Sequence, residues 1–196
     1  MDVIARPSGS GSITSANAEV ARSLNLRAHM KTARDIHGFA ASIPAIDRHL
    51  IHIQFRRFAS CPICNLHLQS FIGRYLEISG AGIKGVVVFH SSDTELLLWQ
   101  GQFRFDVTGD PQKKLYRSCS VETSVSAILS PAVWPAILKG NLAKNKPAKT
   151  SSPVGGRLGL PAEFLIAPDG VVRAAHYGRR AYDQWSVDEG LALARA

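Results

Sequence analysis

The stretch FASCPIC, residues 58–64, carries two of the chain's three cysteines, placed three positions apart. Before it, residues 50–55 (LIHIQF) alternate apolar and polar side chains, which is typical of a strand. After it, residues 65–78 place apolar side chains at helical spacing. Because proline is favoured at the first position of a helix, Pro62 predicts that the helix opens there with Cys61 as its N-cap.

The position of Cys61 predicts an acidic thiol. The unpaired N–H groups of a first helical turn and the positive end of the helix dipole favour a negative charge there. Such settings lower a thiol pKa from about 8.5 to roughly 3.5–7.5. Arg56 or Arg57 could lower the pKa of Cys61 further. Cys64 lies one turn along, on the apolar stripe. The pair therefore predicts an exposed, attacking Cys61 and a more buried, resolving Cys64.

A metal site is the main alternative for this cysteine pair. Structural zinc sites have four ligands, usually from two such pairs. This chain has one pair, to which His67 adds a third candidate, and the fourth would have to be Cys119 or His52. A single Cys-x-x-Cys between a strand and a helix favours redox chemistry over metal binding. No metal is therefore predicted.

Length and charge limit the classes of protein to which this chain could belong. The chain has 196 residues, 45% of them hydrophobic, which suffices for one domain with a core. Its start lacks the charged and apolar blocks of a secretion signal, so we predict a cytoplasmic location, where a cysteine pair is seldom a structural disulfide. The net charge of +8 comes from scattered basic residues without a nucleic-acid motif. No apolar stretch reaches membrane-spanning length. Neither nucleic acid nor a membrane is predicted as a partner.

Alternating strand and helix patterns continue along the chain and predict an α/β fold. Residues 85–90 form an apolar, β-branched run that is typical of a buried central parallel strand. Residues 162–166 and 171–177 predict a hairpin around a turn at 167–170. The other predicted elements are a capped helix at 92–99, a strand at 103–107, a helix at 111–117, two short helices within 121–138 and a C-terminal helix with a capping box at 186–189.

The same patterns predict one domain with an extension. Residues 1–44 are polar and broken by glycine and proline, and we expect a poorly ordered N-terminal extension. Residues 45–196 are expected to form the domain. Within it, residues 139–159 form a basic loop insertion, longer than compact domains usually carry. It is either a disordered spacer or a loop that guides a partner to the thiol.

Four stretches resemble the bacterial peroxiredoxin-like proteins of the alkyl hydroperoxide reductase/thiol-specific antioxidant (AhpC/TSA) group. They are residues 55–68 (FRRFASCPICNLHL), 86–91 (VVVFHS), 159–170 (GLPAEFLIAPDG) and 183–186 (DQWS). The resemblance covers roughly residues 45–196. It implies a thioredoxin-like fold, with a central mixed sheet flanked by helices and an inserted helical and loop segment before the strand that follows a cis-proline.

The resemblance also implies a substrate groove. Pro161 would be the cis-proline that faces the cysteine pair, and the backbone before it, at Leu160, would pair with an extended substrate. Ordinary peroxiredoxins carry Pro-x-x-x-Thr/Ser-x-x-Cys and a later arginine, where this chain has Gln54, Phe58 and Pro161. Those missing groups stabilise the transition state of peroxide reduction. Their absence favours disulfide exchange, whereas the family favours peroxide, and both substrates stay open.

These features predict a thiol-dependent redox enzyme without a prosthetic cofactor. Cys61 would attack a peroxide or a disulfide, Cys64 would resolve the adduct, and an external thiol system would restore the pair. No oligomeric state is predicted. The alternative is a non-enzymatic thioredoxin-fold module that binds a metal or an acidic partner. The candidate substrate-binding residues are Arg56, Arg57, Phe58, Ser60, Leu160 and Pro161.

Overall fold

The computed structural model describes residues 33–38, 40–41, 49–100, 104–121, 134–142, 156 and 158–196. The strands in this part of the chain are β1 (Ala33–Arg34), β2 (Ala40–Ala41), β3 (Leu50–Phe55), β4 (Ile83–Phe89), β5 (Asp106–Gly109), β6 (Ala162–Ile166) and β7 (Val172–Tyr177). The helices are α1 (Pro62–Gly73), α2 (Tyr75–Gly80), α3 (Asp93–Gln100), α4 (Lys114–Ser118), α5 (Trp134–Leu142) and α6 (Val187–Arg195).

Five strands form one mixed sheet in the order β5-β4-β3-β6-β7. Strands β3, β4 and β5 run parallel, and β6 and β7 are added antiparallel. The central position of β3 places its C-terminal end, and the cysteine stretch that follows, at the middle of one sheet edge. The predicted α/β architecture with a central mixed sheet is confirmed.

Apolar side chains pack on both faces of the sheet, as the continuous apolar run of β4 predicts. Val87 and Phe89 belong to the core on the α1 side, together with both cysteines of the pair. Val86 and Val88 belong to the core on the opposite face. The pair therefore lies between the sheet and its covering helix.

Short sequence patterns correctly predicted one turn and the starts of two helices. The hairpin turn is present, with Gly170 at φ +84° and its N–H donating to the Ala167 carbonyl oxygen at 2.8 Å. Ser92 and Glu95 exchange hydrogen bonds at the start of α3, as a capping box should. A second capping box, from Ser186 and Glu189, starts α6.

The helix predicted through residue 78 is in fact two helices that meet at Arg74. This residue has φ −113° and ψ 23°, outside helical values. Its guanidinium donates to Glu77 and to Asp188 of the C-terminal helix. Gly73, just before it, lowers the cost of leaving the helix because glycine is a poor helix former.

Two further boundaries differ from the prediction. Strand β5 lies at Asp106–Gly109, not at 103–107, because its register is set by parallel pairing with β4. Helix α4 starts at Lys114, not at 111, because Lys113 has a left-handed φ of 54°. The Asp110 carboxylate accepts hydrogen bonds from the N–H groups of Lys114 and Leu115 at 2.8 and 2.7 Å.

Some predictions fall outside the described residues. These include residues 1–32, 39 and 42–44 of the extension, 122–133 of the two short helices, and 143–155 and 157 of the basic loop. Helix α5 itself extends into the predicted basic loop, as far as Leu142. In the described part of the extension, Ile36 is buried in the core and its N–H donates to the Val107 carbonyl oxygen at 2.8 Å. This part is therefore packed against the domain.

The polar face of β3 is buried beneath α1, which alternation alone did not predict. Arg56, just after the strand, is fully buried and forms an ion pair with Glu163 of β6 at 2.9 Å. Gln54 accepts a hydrogen bond from Arg56, and His52 lies 3.3 Å from the Glu163 carboxylate. The Arg56 guanidinium also donates to His67 Nδ1 at 2.9 Å. These residues, His52, Gln54, Arg56, His67 and Glu163, are called the buried polar cluster below.

Within this cluster the positive charge of Arg56 is balanced by the negative charge of Glu163. Burial alone would raise the pKa of Glu163, but the charge of Arg56 and the contact with His52 lower it to about 2. Burial and the neighbouring Arg56 lower the pKa of His67 to about 3, so this imidazole is neutral. Because its Nδ1 accepts from Arg56, its proton lies on Nε2, which donates to the Trp185 carbonyl oxygen at 2.7 Å. The cluster thus ties α1 to the segment before α6.

Replacing Arg56 with methionine should destabilise the fold strongly. The variant leaves the Glu163 carboxylate buried without its cation, which costs about 3–5 kcal/mol of unfolding free energy. The double variant Arg56→Met/Glu163→Leu should recover most of this loss, because it removes both charges. Urea unfolding at pH 7 measures both values.

The matched control is Arg74→Met, which removes an ion-paired arginine that is 36% exposed. It should lower the unfolding free energy far less than Arg56→Met does, because exposed ion pairs contribute little to stability. Equal losses for Arg56→Met and Arg74→Met would contradict the view that the buried cluster supports the fold.

Candidate active site

Cys61 stands at the start of α1, as predicted. It is the N-cap residue, with φ −69° and ψ 114°, and Pro62 is the first helical residue. The Cys61 carbonyl oxygen accepts from the Asn65 N–H at 3.0 Å, which closes the first turn. The Cys61 N–H in turn donates to the Phe58 carbonyl oxygen at 3.0 Å. The sulfur is thereby held beside the unpaired N–H groups of the helix start.

The surroundings of Cys61 favour its thiolate. Burial alone would raise the pKa of the Cys61 thiol. A hydrogen bond from the Cys64 thiol, the charge of Arg57, and the N–H groups of Cys64 and Ile63 outweigh it and lower the pKa to about 6. Arg57 donates from its Nη1 nitrogen to the Cys61 sulfur at 3.7 Å. These groups therefore favour the ionised form of the Cys61 sulfur.

The pKa of the Cys64 thiol is shifted in the opposite direction. Its pKa is raised well above the ordinary value by burial, by the hydrogen bond that it donates to Cys61, and by the negative charge of Cys61. Both thiols are reduced in this structure. The lowered pKa of Cys61 has the direction that the sequence predicts for this thiol.

The prediction that Cys61 is exposed is wrong. Both Cys61 and Cys64 have 0% exposed surface. The stretch before Cys61 turns back over it, and Phe58 and Ala59 are buried in the same apolar cluster. The sequence pattern could not show this, because an N-cap position is compatible with either an exposed or a covered side chain.

The two adjacent arginines have different surroundings. Arg57 lies against the Cys61 sulfur, and its guanidinium carbon is 5.3 Å from the centre of the Phe58 ring. Arg56 belongs to the buried polar cluster and binds Glu163. Of the two candidates, Arg57 is the one placed beside the thiolate.

The loop between β3 and α1 is fixed by hydrogen bonds to its neighbours. Ser91, just after β4, accepts from the Ala59 N–H at 3.0 Å. The Asn65 side chain donates to the Ala59 carbonyl oxygen at 3.2 Å. Ser60 is half-buried within this turn. The backbone around Cys61 is thus anchored to both β4 and α1.

Leu160 and Pro161 lie at the same edge of the sheet as this loop. Strand β6 begins one residue later, and Ala162 pairs with Phe55, the last residue of β3. Both Leu160 and Pro161 are buried, and the Pro161 carbonyl oxygen accepts from the Gly178 N–H at 2.9 Å. The role of Pro161 as a cis-proline in a substrate groove stays a prediction.

Because residue 159 is glycine, the segment before Pro161 can lie close to Arg57. A Cβ at this position would lie 2.9 Å from His90 Nε2 and 3.6 Å from Arg57 Cγ. The first distance is shorter than a side chain tolerates, so a larger residue would push the segment away from His90 and Arg57. The absence of a side chain at 159 therefore keeps the segment before Pro161 close to the residues around Cys61.

Two buried residues that contact Arg56 were not predicted from the sequence. Tyr116 is fully buried, and its hydroxyl donates to the carbonyl oxygens of Arg56 and Val88. Glu163 stands in an otherwise apolar strand (AEFLI), and that isolated charge was a signal of a buried partner. Its position opposite the alternating polar residues of β3 identifies where the partner lies.

Three other buried side chains are those of Cys119, His90 and Trp185. Cys119 is buried, and burial raises the pKa of its thiol to about 12. His90 is fully buried between Phe58 and Tyr116, and burial with the nearby charge of Lys113 lowers its pKa to about 3. Trp185 is buried. At neutral pH, Cys119 is therefore a protonated thiol and His90 a neutral imidazole.

Neither a metal-binding group nor a membrane-spanning helix occurs among the described residues. In this part of the chain, His, Cys, Asp and Glu side chains form no group of three or more that could hold a metal ion. Of the helices described, none has the length and apolarity needed to cross a membrane.

Comparison with solved structures identifies the fold. Peroxiredoxin Q from Xanthomonas campestris matches with a TM-score of 0.60 and 20% identity, over 86% of this chain and 92% of that chain. Peroxidoxin BcpB from Mycobacterium tuberculosis matches with a TM-score of 0.60 and 15% identity, over 84% and 90%. A thiol:disulfide interchange protein DsbE from Chlorobium tepidum matches with a TM-score of 0.51 and 16% identity, over 83% and 92%. At these identities the likeness shows a shared thioredoxin-like fold.

Comparison of sequences identifies the family. No curated protein matches the chain significantly. Residues 67–180 match the family described as AhpC/TSA antioxidant enzyme. The match begins after Cys64, so the cysteine pair lies just outside it. Since the matched residues make up more than half of the chain, the protein belongs to the AhpC/TSA antioxidant enzyme family of thiol oxidoreductases.

Proposed function

We propose that this protein reduces small hydroperoxides by cycling Cys61 and Cys64 between dithiol and disulfide. The observation that carries the proposal is the asymmetry of the pair. The pKa of the Cys61 thiol is lowered to about 6, whereas that of Cys64, which donates a hydrogen bond to it, is raised. An ionised nucleophile with a protonated thiol beside it suits attack followed by resolution.

The first step forms a sulfur–oxygen bond and breaks the oxygen–oxygen bond. The Cys61 thiolate attacks the hydroperoxide, an alkoxide or hydroxide leaves and takes up a proton, and Cys61 becomes a sulfenic acid. Arg57, which donates to the Cys61 sulfur, would hold the thiolate before the reaction and stabilise the leaving oxygen during it. It would thus replace the later arginine of ordinary peroxiredoxins, where this chain has Pro161.

The second step forms the disulfide. Oxidation of Cys61 removes its negative charge, and that charge is one cause of the raised pKa of Cys64. Cys64 therefore loses its proton more readily after the first step than before it. Its sulfur attacks the sulfenic acid, water leaves, and the pair has lost the two electrons that the peroxide gained. An external thiol returns them, so no prosthetic cofactor is needed.

Burial and family favour a small hydroperoxide as the oxidant. Cys61 has no exposed surface, which admits a small molecule more readily than a protein disulfide. A structure of the Xanthomonas campestris bacterioferritin comigratory protein, 19% identical to this chain, concerns alkyl peroxide reduction. Disulfide exchange is the second candidate, since Phe58 and Pro161 replace the hydroxyl and the arginine of ordinary peroxiredoxins. The cytoplasmic location stays a prediction.

Alkylation of Cys61 should report its lowered pKa. The rate with iodoacetamide, followed for each cysteine by mass spectrometry, should rise with pH through a midpoint near 6 and then level off. Arg57→Met should move this midpoint upward, because it removes a charge that favours the thiolate. Cys119 is an internal control that should stay unreactive below pH 9, since it is buried and its pKa is raised to about 12. A midpoint above 8 in the wild-type protein would contradict the proposal.

Single cysteine variants should separate the two chemical steps. In stopped-flow assays with hydrogen peroxide and with a model disulfide, Cys61→Ser should turn over neither substrate, because it lacks the nucleophile. Cys64→Ser should react once and stop, with a sulfenic acid or a mixed disulfide on Cys61 visible by mass spectrometry. Cys119→Ser is the matched control and should keep its activity. Full turnover by Cys61→Ser would end the proposal, and the faster wild-type substrate decides between peroxide and disulfide.

A further inference from the structure

The complete burial of Cys61 means that the oxidant of the proposed reaction needs a way in. The sulfur has no exposed surface, and Arg57, which donates a hydrogen bond to it, is only 4% exposed. A hydroperoxide can therefore reach the sulfur only when a covering segment moves. The contacts of residues 158–160, just before β6, single out this segment as the one that moves.

This segment packs against side chains beside the sulfur without being hydrogen-bonded there. A Cβ on Gly159 would lie 2.9 Å from His90 Nε2 and 3.6 Å from Arg57 Cγ, so the segment lies against both side chains. Within the described part of the chain, no hydrogen bond involves the backbone of Leu158, Gly159 or Leu160. Leu158 is 38% exposed and Leu160 is 4% exposed. Burial of one leucine side chain is thus the main contact that keeps the segment in place.

The loop before Cys61 also lies next to the sulfur, but it is anchored. The Ala59 N–H donates to the Ser91 hydroxyl at 3.0 Å, and the Ala59 carbonyl oxygen accepts from the Asn65 side chain at 3.2 Å. Moving this loop would break these hydrogen bonds. Residues 158–160 have no such bonds to other described residues, so their local opening costs less free energy.

His90, the residue after β4, lowers the cost of this opening further. Its side chain is fully buried, and neither ring nitrogen has a hydrogen-bond partner among the residues that the structure describes. A buried polar group without a partner raises the free energy of the state that contains it. When residues 158–160 move away, water can reach Nε2 and supply the missing hydrogen bond. The closed arrangement therefore contains a penalty that opening removes.

We propose that residues 158–160 form a gate through which small hydroperoxides reach Cys61, and that Gly159 and His90 set how often it opens. The inference rests on the proposed function for its substrate, but the opening itself does not depend on that chemistry. One end of the gate stays fixed, because the Pro161 carbonyl oxygen accepts from the Gly178 N–H at 2.9 Å. The opening is therefore short, and it admits a small oxidant more readily than a bulky one.

Two variants should shift the opening in opposite directions. Gly159→Ala places a methyl group 2.9 Å from His90 Nε2, which disfavours the closed gate. His90→Leu replaces the unpaired imidazole with an apolar side chain of similar size, which favours the closed gate. Because only the open fraction reacts, the rate of Cys61 alkylation by iodoacetamide follows the opening equilibrium. At pH 8, this rate should rise severalfold in Gly159→Ala. In His90→Leu it should fall about tenfold, as expected for removal of one buried unsatisfied group.

The same variants should change the choice of oxidant. In stopped-flow assays, Gly159→Ala should speed the reaction of Cys61 with cumene hydroperoxide more than that with hydrogen peroxide, because the larger molecule needs a wider opening. His90→Leu should slow the reaction with both. The pH midpoint of alkylation should stay near 6 in each variant, because the Arg57 and Cys64 groups that lower the pKa of Cys61 are retained.

The matched control is Gly190→Ala in α6, where no atom lies within 4 Å of the added Cβ. It makes the same chemical change away from the gate and should leave the alkylation rate of Cys61 unchanged. Unfolding would expose Cys61 and speed its alkylation, so the slower rate expected for His90→Leu cannot come from misfolding. In Gly159→Ala, the buried Cys119 should stay as unreactive as in the wild-type protein.

The contrary results are distinct. An unchanged Cys61 rate in both gate variants, an equal change in Gly190→Ala, or a parallel rise for Cys119 would overturn the gate. Turnover of hydrogen peroxide by the wild-type protein would leave the proposed function intact in each of these cases. Opposite shifts in the alkylation rate without any wild-type peroxide turnover would support the gate and overturn the proposed function.

Discussion

The candidate site depends on groups that favour a negative charge on a sulfur with no exposed surface. A buried thiolate is costly unless protein groups replace the lost hydration. At Cys61 these groups are the Cys64 thiol, the Arg57 guanidinium and the N–H groups of the helix start. Since Cys64 is itself one of the stabilising donors, the two thiols cannot be understood separately. The donor that stabilises the nucleophile is also the group proposed to resolve it.

The surrounding fold positions the Cys61 sulfur through several sets of contacts. Arg56 and Arg57 are neighbours in the chain, but Arg56 pairs with Glu163 under α1, whereas Arg57 lies beside the sulfur. The buried polar cluster holds α1 against the sheet and against the segment at Trp185 through His67. Ser91 and Asn65 hold the loop that carries Cys61. The position of one sulfur is therefore set by contacts with β4, β6 and the segment before α6.

Much of the fold could be predicted because the relevant signals are local. The alternation in β3, the proline at the start of α1, the two capping boxes and the Gly170 turn each follow from residue types at short spacing within one segment. The errors arose where distant contacts compete with local preference. Pairing with β4 shifted β5, and a bridge from Arg74 to Asp188 accompanies the break between α1 and α2.

For the candidate site, the sequence by itself singled out the cysteine pair and predicted that Cys61 begins a helix, since both follow from residue type and short spacing. Only the tertiary structure decided that Cys61 is buried, that Arg57 lies beside it, and that Arg56 pairs with a carboxylate 107 positions later in the chain. The physical reason is that burial and ion pairing depend on which distant segments the sheet brings together. No local pattern contains that information.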